Sequence, residues 1–436
     1  MVEMEVLVSL CKRRGFIYQS SEIYGGINGF WDFGPVGCEL KRRIKESWWR
    51  RMVQERDDVV GIDTSIIAHP QTWIASGHVA SFNDPMVDCK QCKRRFRLDE
   101  IPSGADGKPE QKCPECGGEL TEAREFNLMF QTHVGATADS ASIAYLRPET
   151  CQSIFTQFKN VQTSTRKKVP FGIAQVGKAF RNEITPRNFI FRSREFEQME
   201  MEFFCHKDEA DKWFEFWVND RHQWFRDIGI KPEKLRIRPH QHHELAHYAK
   251  ACMDVEYEMP FGWSEMEGIA NRTDYDLQNH MRESGKDLTY FDEARKEKFV
   301  PHVVETSIGV DRTALAVLAD AYREEDVRGE TRVVMGFAPS IAPVQAGVLP
   351  LSNKLREPAK KLETDLRRHF RTEYDDAGSI GRRYRRHDEI GTPFCLTYDF
   401  DSENDHAVTV RDRDTMQQDR VPMEKVADHL RDKFGC

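Results

Sequence analysis

The sequence predicts an α+β fold, in which an antiparallel sheet flanked by helices carries a small cysteine-bearing insertion and precedes a C-terminal α/β domain. Three observations point there. Residues 171–176 and 196–204 alternate in the manner of strands and are joined by an arginine-rich loop, as in two antiparallel neighbours. Two Cys-x-x-Cys pairs lie within the polar stretch 88–120, which has too few apolar residues for a core of its own. Beyond residue 342, strand-like and helix-like segments take turns.

At 436 residues the chain has room for several domains, and 39% hydrophobic residues are enough to bury a sizeable core. No apolar run approaches the ~20 residues that cross a bilayer, so no membrane partner is expected. The opening MVEMEVLVSLCKRRGF sets acids before a short apolar stretch and bases after it. That reverses a secretory signal, and a cytoplasmic protein is expected. The Gly-rich aromatic segment 24–35 reads as turns and short strands. Val36, Leu40, Ile44, Trp48 and Met52 fall at helical spacing, predicting a long amphipathic helix over 36–56. Residues 59–68 alternate toward a strand ending at His69-Pro70. On the strand 196–204, Glu197, Met199, Met201 and Phe203 share one face, and Gln198, Glu200 and Glu202 share the other. Acids along one face of a central strand predict a polar site above the sheet. A helix follows over 208–228, with Trp213, Trp217, Trp224 and Ile228 on one side.

Near 326–342 the chain reads as charged turns, which sets the expected division at 1–335 and 336–436. The second part reads as a strand at 344–349, a helix at 353–371, strands at 394–398 and 407–410, and a final helix at 423–433.

A net charge of -8 offers no global attraction for a polyanion, and no DNA partner is expected. Contact with nucleic acid would need local patches such as Lys93-Arg94-Arg95, Arg166-Lys167-Lys168 or Arg382, Arg383, Arg385 and Arg386. Each can equally be a solvated face. Cys89, Cys92, Cys113 and Cys116 have the spacing of a closed tetrahedral Cys₄ centre, predicting a structural Zn²⁺. His243-Glu244-Leu-Ala-His247 matches the HExxH pattern of zinc peptidases, although Pro239 and His240 set His243 at a helix start rather than inside a helix.

The segment 177–202, GKAFRNEITPRNFIFRSREFEQMEME, carries arginines suited to phosphate and an aromatic suited to a purine face. Phe180-Arg-Asn-Glu183 with Phe191-Arg-Ser-Arg-Glu-Phe196 resembles motif 2 of the class II aminoacyl-tRNA synthetases. Ser307-Ile-Gly-Val-Asp-Arg312 and the apolar run after it are similar to motif 3, and the 36–70 region is similar to motif 1. Tyr145-Leu-Arg-Pro-Glu-Thr150, Ile74-Ala-Ser-Gly-His78, Arg272-Thr-Asp-Tyr-Asp-Leu277 and Val304-Glu-Thr-Ser307 resemble the homodimeric glycyl-tRNA synthetase family, nearly end to end.

That resemblance implies a class II catalytic domain, the Cys-rich insertion as a zinc ribbon, and an anticodon-binding C-terminal domain. It implies a homodimer that activates glycine with ATP and Mg²⁺ and transfers it to the 3′ end of tRNA(Gly). The residues expected on ATP are Arg181, Asn182, Glu183, Phe191, Arg192, Arg194, Phe196, Glu265, Met266, Gly309, Asp311 and Arg312, with Arg181, Glu183 and Arg312 catalytic. Those expected on glycine are Arg97, Glu149, Phe196, Gln198, Glu200, Glu305 and Ser307, closing a pocket too small for a methyl group. Arg382, Arg383, Arg385 and Arg386 are the expected tRNA contact. The chain departs from the family at Cys151, Ser153, Thr306 and Glu267. The expected consequences are a looser glycine loop at Thr306 and added charge near ATP at Glu267. A non-catalytic relative would be expected to lack the phosphate-binding arginines, which this chain keeps.

Overall fold

The computed structural model describes residues 2–103, 109–136, 139, 142–246 and 249–434. A seven-stranded sheet carries the larger part of the molecule. Its strands are β1 (Val59–Gly61), β2 (Phe171–Phe180), β3 (Glu195–Cys205), β4 (Leu235–Pro239), β5 (Ala251–Met259), β6 (Gly262–Thr273) and β7 (His302–Gly309), in the spatial order β4-β5-β6-β7-β3-β2-β1. Every pairing is antiparallel except β1 with β2. β2 and β3 pair without a bulge, so the alternation predicted for 196–204 holds along the strand.

One sheet face is closed by three helices: α1 (Pro35–Trp49), α3 (Ala210–Asp227) and α5 (Val310–Ala321). Leu40, Ile44 and Trp48 of α1 and Trp217 and Trp224 of α3 bury against Met199, Met201 and Phe203 of β3. α1 ends at Trp49, and the rest of the predicted helix is a wider π-type turn, 50–54. On the opposite face, α2 (Cys151–Thr165) and α4 (Tyr275–Ser284) join a smaller core around Phe155, Phe158, Phe171 and Phe204.

Two features differ from the sequence reading. The strand predicted over 59–68 stops at Gly61, where a Cβ would lie 2.2 Å from the Trp49 ring. Beyond it, the carbonyl of Thr64 accepts from Arg147 Nη1 (3.0 Å) instead of from a neighbouring strand. His69-Pro70 does not end a strand. His69 caps a short helix, Pro70–Ala75, its Nδ1 accepting from the Gln71 N–H at 3.1 Å.

Glu267 faces away from the upper side of the sheet, so the expected charge near ATP is absent. Its carboxylate lies under α3, where it accepts from Arg221 Nε at 2.8 Å, and both side chains are fully buried. Breaking a buried ion pair from one side leaves the other charge stranded, which costs about 3–5 kcal/mol. Glu267→Ala is therefore expected to lower the unfolding free energy in urea by that amount and to leave catalysis by the folded fraction intact. Thr306 lies within β7 opposite Met201 and Ile269, so it loosens no loop.

The charged stretch near 326–342 is not a run of turns. Residues Tyr322–Val327 and Glu330–Met335 form a hairpin. Its Arg332 is fully buried, donating to Asp388 (Nε–Oδ2 2.8 Å) and to the carbonyl of Arg413 (2.6 Å). Behind it stands a five-stranded sheet built from β8 (Ala346–Pro350), β9 (Thr372–Tyr374), β10 (Phe394–Tyr398), β11 (Ala407–Asp412) and β12 (Gln418–Pro422), in the order β9-β8-β10-β11-β12. Helices α6 (Arg356–Leu366), α7 (Ile380–Ile390) and α8 (Val426–Phe434) accompany it, and it has its own core around Val348, Leu362, Leu396 and Leu430.

Candidate active site

The upper face of the large sheet carries two adjoining cavities. The first, of about 130 Å³, is lined by Arg181 and Glu183 after β2, Phe191, Arg192, Phe196 and Gln198 around the start of β3, Glu265 and Met266 on β6, and Gly309, Asp311 and Arg312 at the β7–α5 junction. Arg181 and Arg312 thus face one cavity although 131 positions apart (312 − 181). Arg181 is aimed by a hydrogen bond from Nε to the Pro148 carbonyl (3.0 Å), and its guanidinium lies 5.5 Å from the Phe196 ring centre. The Arg312 guanidinium sits 4.6 Å over the Phe191 ring, with Nη1 3.4 Å from a Glu265 carboxylate oxygen. Planar cations over aromatic rings are held without losing their outward donors.

Several expected nucleotide residues act one step back from the cavity. Asp311 lines it, but its carboxylate is already engaged by Lys41 Nζ (2.7 Å) and by the Glu197 N–H (2.8 Å), tying α1 to the β7–α5 junction. Asn182 and Arg194 do not line it. The Asn182 N–H donates to the Leu128 carbonyl (2.8 Å), while Arg194 donates to the carbonyls of Glu183 (3.1 Å) and Asn28 (2.9 Å) and so fixes the motif 2 loop.

The second cavity, about 220 Å³, meets the first at Arg181, Glu265 and Ser307. Glu149, Glu200, Glu305, Ser307 and Arg272 form its inner wall. Glu149 is docked through its neighbour Arg147, whose Nε donates to the Lys178 carbonyl (2.7 Å). Gly177 makes that possible, since a Cβ there would lie 2.1 Å from Arg147 Nη2. Glu200 accepts from the Thr150 N–H (2.7 Å), the Thr150 hydroxyl, Ser307 Oγ (2.6 Å) and Gln198 Nε2 (3.1 Å). Gln198 and Phe196 belong to the first cavity, and only Gln198 is linked to this one, through its bond to Glu200.

Arg97, expected at the glycine carboxylate, is not brought there. It lies on the insertion, paired with Asp84 (2.9 Å) and Asp99 (2.8 Å), and lines neither cavity. The cation in the acid wall is Arg272, which donates to Glu305 (3.0 Å) and twice to Asp276 (2.8 and 2.9 Å). The residue-by-residue reading gave Arg272 no role. The Arg-x-Asp-x-Asp pattern, with acids two and four positions on, is the signal that could have found it. His78 was likewise passed over, and its Nε2 lies 3.3 Å from Glu149.

Five acids share this region with few cations, and their protonation follows from that imbalance. Burial works to raise Glu149, but His78, Arg272 and the Cys151 thiol together outweigh it and hold the carboxyl well below its usual range. Burial, with Glu149 nearby, raises Glu200 despite its hydrogen bonds. Burial and the facing Glu305 push Glu202 far up, and neither Glu202 oxygen has a partner among the described residues. Burial lifts Glu305 to about 7, against the pull of Arg272. The expected closure to a methyl group is not found. The cavity is far larger than the ~10–15 Å³ that one water requires.

Comparison with known proteins fits this geometry. The family described as "tRNA synthetase class II core domain (G, H, P, S and T)" matches residues 136–321, and "Anticodon binding domain" matches 345–433. The chain is 54% identical to the glycine–tRNA ligase of Caldanaerobacter subterraneus subsp. tengcongensis, over 99% of both chains. It is 52% identical to that of Geobacillus thermodenitrificans (99% of this chain, 98% of the relative) and 51% to that of Treponema denticola (99% and 97%). The chain belongs to the glycine–tRNA ligase family. A prolyl-tRNA synthetase from Cryptosporidium parvum has the same fold, with a TM-score of 0.67 at 14% identity over 98% of this chain and 75% of that one. The molecule is thus a class II synthetase core with an anticodon-binding domain.

For a member of the glycine–tRNA ligase family, the acid wall has a consequence for pH. A glycine ammonium received at this wall, as the sequence leads one to expect, would need the carboxylate form of Glu305. With that group at about 7, the KM for glycine in pyrophosphate exchange is expected to rise as pH falls below 7, approaching tenfold per unit. The stability sign is opposite. A carboxyl raised in the folded state stabilises the free protein at low pH, and this contribution disappears as pH rises through 7. Glycine should therefore raise the melting temperature more at pH 8 than at pH 6.

The insertion brings Cys89, Cys92, Cys113 and Cys116 together, with Sγ–Sγ distances of 3.5 Å (Cys89–Cys116) and 3.7 Å (Cys92–Cys113). Four sulfurs at ~2.3 Å from one Zn²⁺ would stand about 3.8 Å apart, so the cluster fits the ion.

The four arginines expected on tRNA lie on α7, and three of them, Arg382, Arg385 and Arg386, line one surface depression. Arg383 is buried, donating to the carbonyls of Gly378 (2.8 Å) and Pro350. Arg386 is held by Asp375 (2.9 Å). Arg382 and Arg385 stand with it at the surface, beside Arg14. The HExxH pattern has no helix beneath it at His243 and Glu244, which lie in a turn, with Glu244 accepting from the Gln241 N–H (2.8 Å). Its His247 is outside the described residues.

Proposed function

We propose that the chain charges tRNA(Gly) with glycine in two steps at the paired cavities. The observation that carries this is one cavity lined by both Arg181 and Arg312, opening through Ser307 into a wall of buried acids. Arg181 takes the α-phosphate and Arg312 the γ-phosphate of a folded-back ATP, with adenine against Phe196 and Arg192 beside it. Glu183 and Glu265 face the same space and suit the Mg²⁺ that accompanies the triphosphate, an ion that prefers oxygen donors. Glu149, Glu200, Glu305 and Ser307 receive the ammonium of glycine, and Arg272 sets the direction of Glu305.

The glycine carboxylate attacks the α-phosphorus as the bond to the β-phosphate breaks, releasing pyrophosphate. Its nucleophile is already ionised, so no general base is required, and the arginines contribute orientation and charge neutralisation. A terminal hydroxyl of the tRNA then attacks the carbonyl carbon, and AMP leaves. Selection against larger amino acids rests on the polar wall. A methyl group there would strip water from Glu200, Glu305 and Arg272 and offer no hydrogen bond in return.

The supporting parts follow the same reading. The division near residue 335 separates aminoacylation from anticodon recognition, with Arg382, Arg385 and Arg386 the basic residues offered to the tRNA. Zn²⁺ holds the insertion through Cys89, Cys92, Cys113 and Cys116, a closed donor set with no catalytic position. A homodimer is favoured by the apolar tip beside motif 1, where Ile23 and Tyr24 are each 87% exposed. Among the described residues no helix is long and apolar enough to cross a membrane, in keeping with work in the cytoplasm. The test is incorporation of labelled glycine into acid-precipitable tRNA(Gly) with stoichiometric AMP. Labelling that proceeds without ATP, or not at all in the presence of active tRNA, contradicts the proposal.

A further inference from the structure

The second cavity does not end at the acid wall. It continues to His240, just beyond β4, and to Cys252 and Asp254 on β5. None of these three has a part in the two steps above. The His240 N–H donates to the Cys252 carbonyl at 3.0 Å, which sets the two residues opposite each other. Cys252 and Asp254 are two positions apart on one strand and so share its cavity-facing side. One ligand atom from each lies within 4.8 Å of the other two.

We propose that His240, Cys252 and Asp254 hold a metal ion of the zinc class at the mouth of this cavity, distinct from both the Cys₄ centre and the Mg²⁺ that accompanies ATP. Because no two of the three atoms are more than 4.8 Å apart, some point lies within about 2.8 Å of all three. Side-chain shifts of a few tenths of an ångström bring that to the ~2.0–2.3 Å of zinc coordination. One nitrogen, one sulfur and one oxygen suit Zn²⁺ or Co²⁺, whereas Mg²⁺ demands oxygens in an octahedron.

The charges also match. A thiolate, a carboxylate and a neutral imidazole balance a divalent ion. Arg238 lies 3.8 Å from Asp254 but is itself answered by Glu244 and Glu256, so it does not compete for the site. His240 Nε2 and Asp254 Oδ2 are already in direct contact, at 2.7 Å. Three protein ligands leave a fourth position, and it faces the cavity shared with Glu305 and Ser307. That open position distinguishes this centre from the closed Cys₄ cluster and suits a water or an oxygen of a ligand entering from this side.

The test is the metal content of the full-length protein, stripped by a chelator and then reloaded with Zn²⁺ or Co²⁺. Wild type is expected to retain one equivalent more than Cys252→Ser and His240→Ala, whatever the occupancy of the Cys₄ centre. With Co²⁺, the Cys252→Ser variant should lose a sulfur-to-metal band while the intense Cys₄ bands stay. Glycine-dependent thermal stabilisation of each variant checks that it is folded. Equal metal content in wild type and both folded variants overturns the assignment, as does a Co²⁺ spectrum that Cys252→Ser leaves unchanged.

Discussion

Arg312→Ala lowers kcat/KM for ATP in glycine-dependent pyrophosphate exchange by ~10³-fold or more, equivalent to about 4 kcal/mol of transition-state stabilisation. The magnitude follows from where the guanidinium sits. It opens α5 at the floor of the nucleotide cavity, stacked on Phe191 and braced by Glu265, so its charge is fixed before ATP arrives. Arg312→Lys should recover only part of the loss, because an ammonium cannot stack on the ring and donate in a fork at once. The side chain is 27% exposed and belongs to no fully buried pair, so the melting temperature should change little. A loss below tenfold, measured with folded protein at saturating glycine, would place the triphosphate elsewhere.

Glu200→Gln acts on the other substrate. The carboxylate stands at the centre of the acid wall and collects donors from Thr150, Ser307 and Gln198. The amide keeps the shape and removes the charge that meets the ammonium. Charge-assisted hydrogen bonds contribute ~1.5–3 kcal/mol, so the KM for glycine should rise on the order of 10²-fold. The KM for ATP should stay within a factor of about two, since Glu200 does not line the nucleotide cavity. A parallel rise in both constants would mean that the two cavities are not separate subsites.

Much of this site was legible in the chain because its residues sit on regular elements. Period-two alternation set Glu200 on the polar face of β3, and the resemblance of Ser307–Arg312 to motif 3 pointed to Arg312. The losses have physical causes. Arg97 and Arg272 are both arginines near acids in the sequence, and only folding decides which acids they meet. Helix α7 has no apolar signal in the sequence because its inward face is built from Arg383, His387 and Asp388 in place of aliphatic residues. The hairpin at 322–335 was read as a break for the same reason, its anchor being the buried Arg332. Polar side chains that are buried and fully paired carry no hydrophobic period, so pattern reading misses them. The size of the glycine cavity lay beyond any reading of residue types. It depends on where His240, Glu244, Ala246 and Ala249 stand above the sheet.

On the proposed function, charged walls in a cavity of about 220 Å³ select glycine. Pyrophosphate exchange driven by glycine and by alanine, each at saturating ATP, tests it most directly. An apolar pocket separates substrates that differ by one methyl group by ~10–200-fold. The polar wall predicts a ratio of kcat/KM above about 10³ in favour of glycine, falling when Glu305 is replaced by Gln. A ratio inside the apolar range, unmoved by Glu305→Gln, would contradict the account.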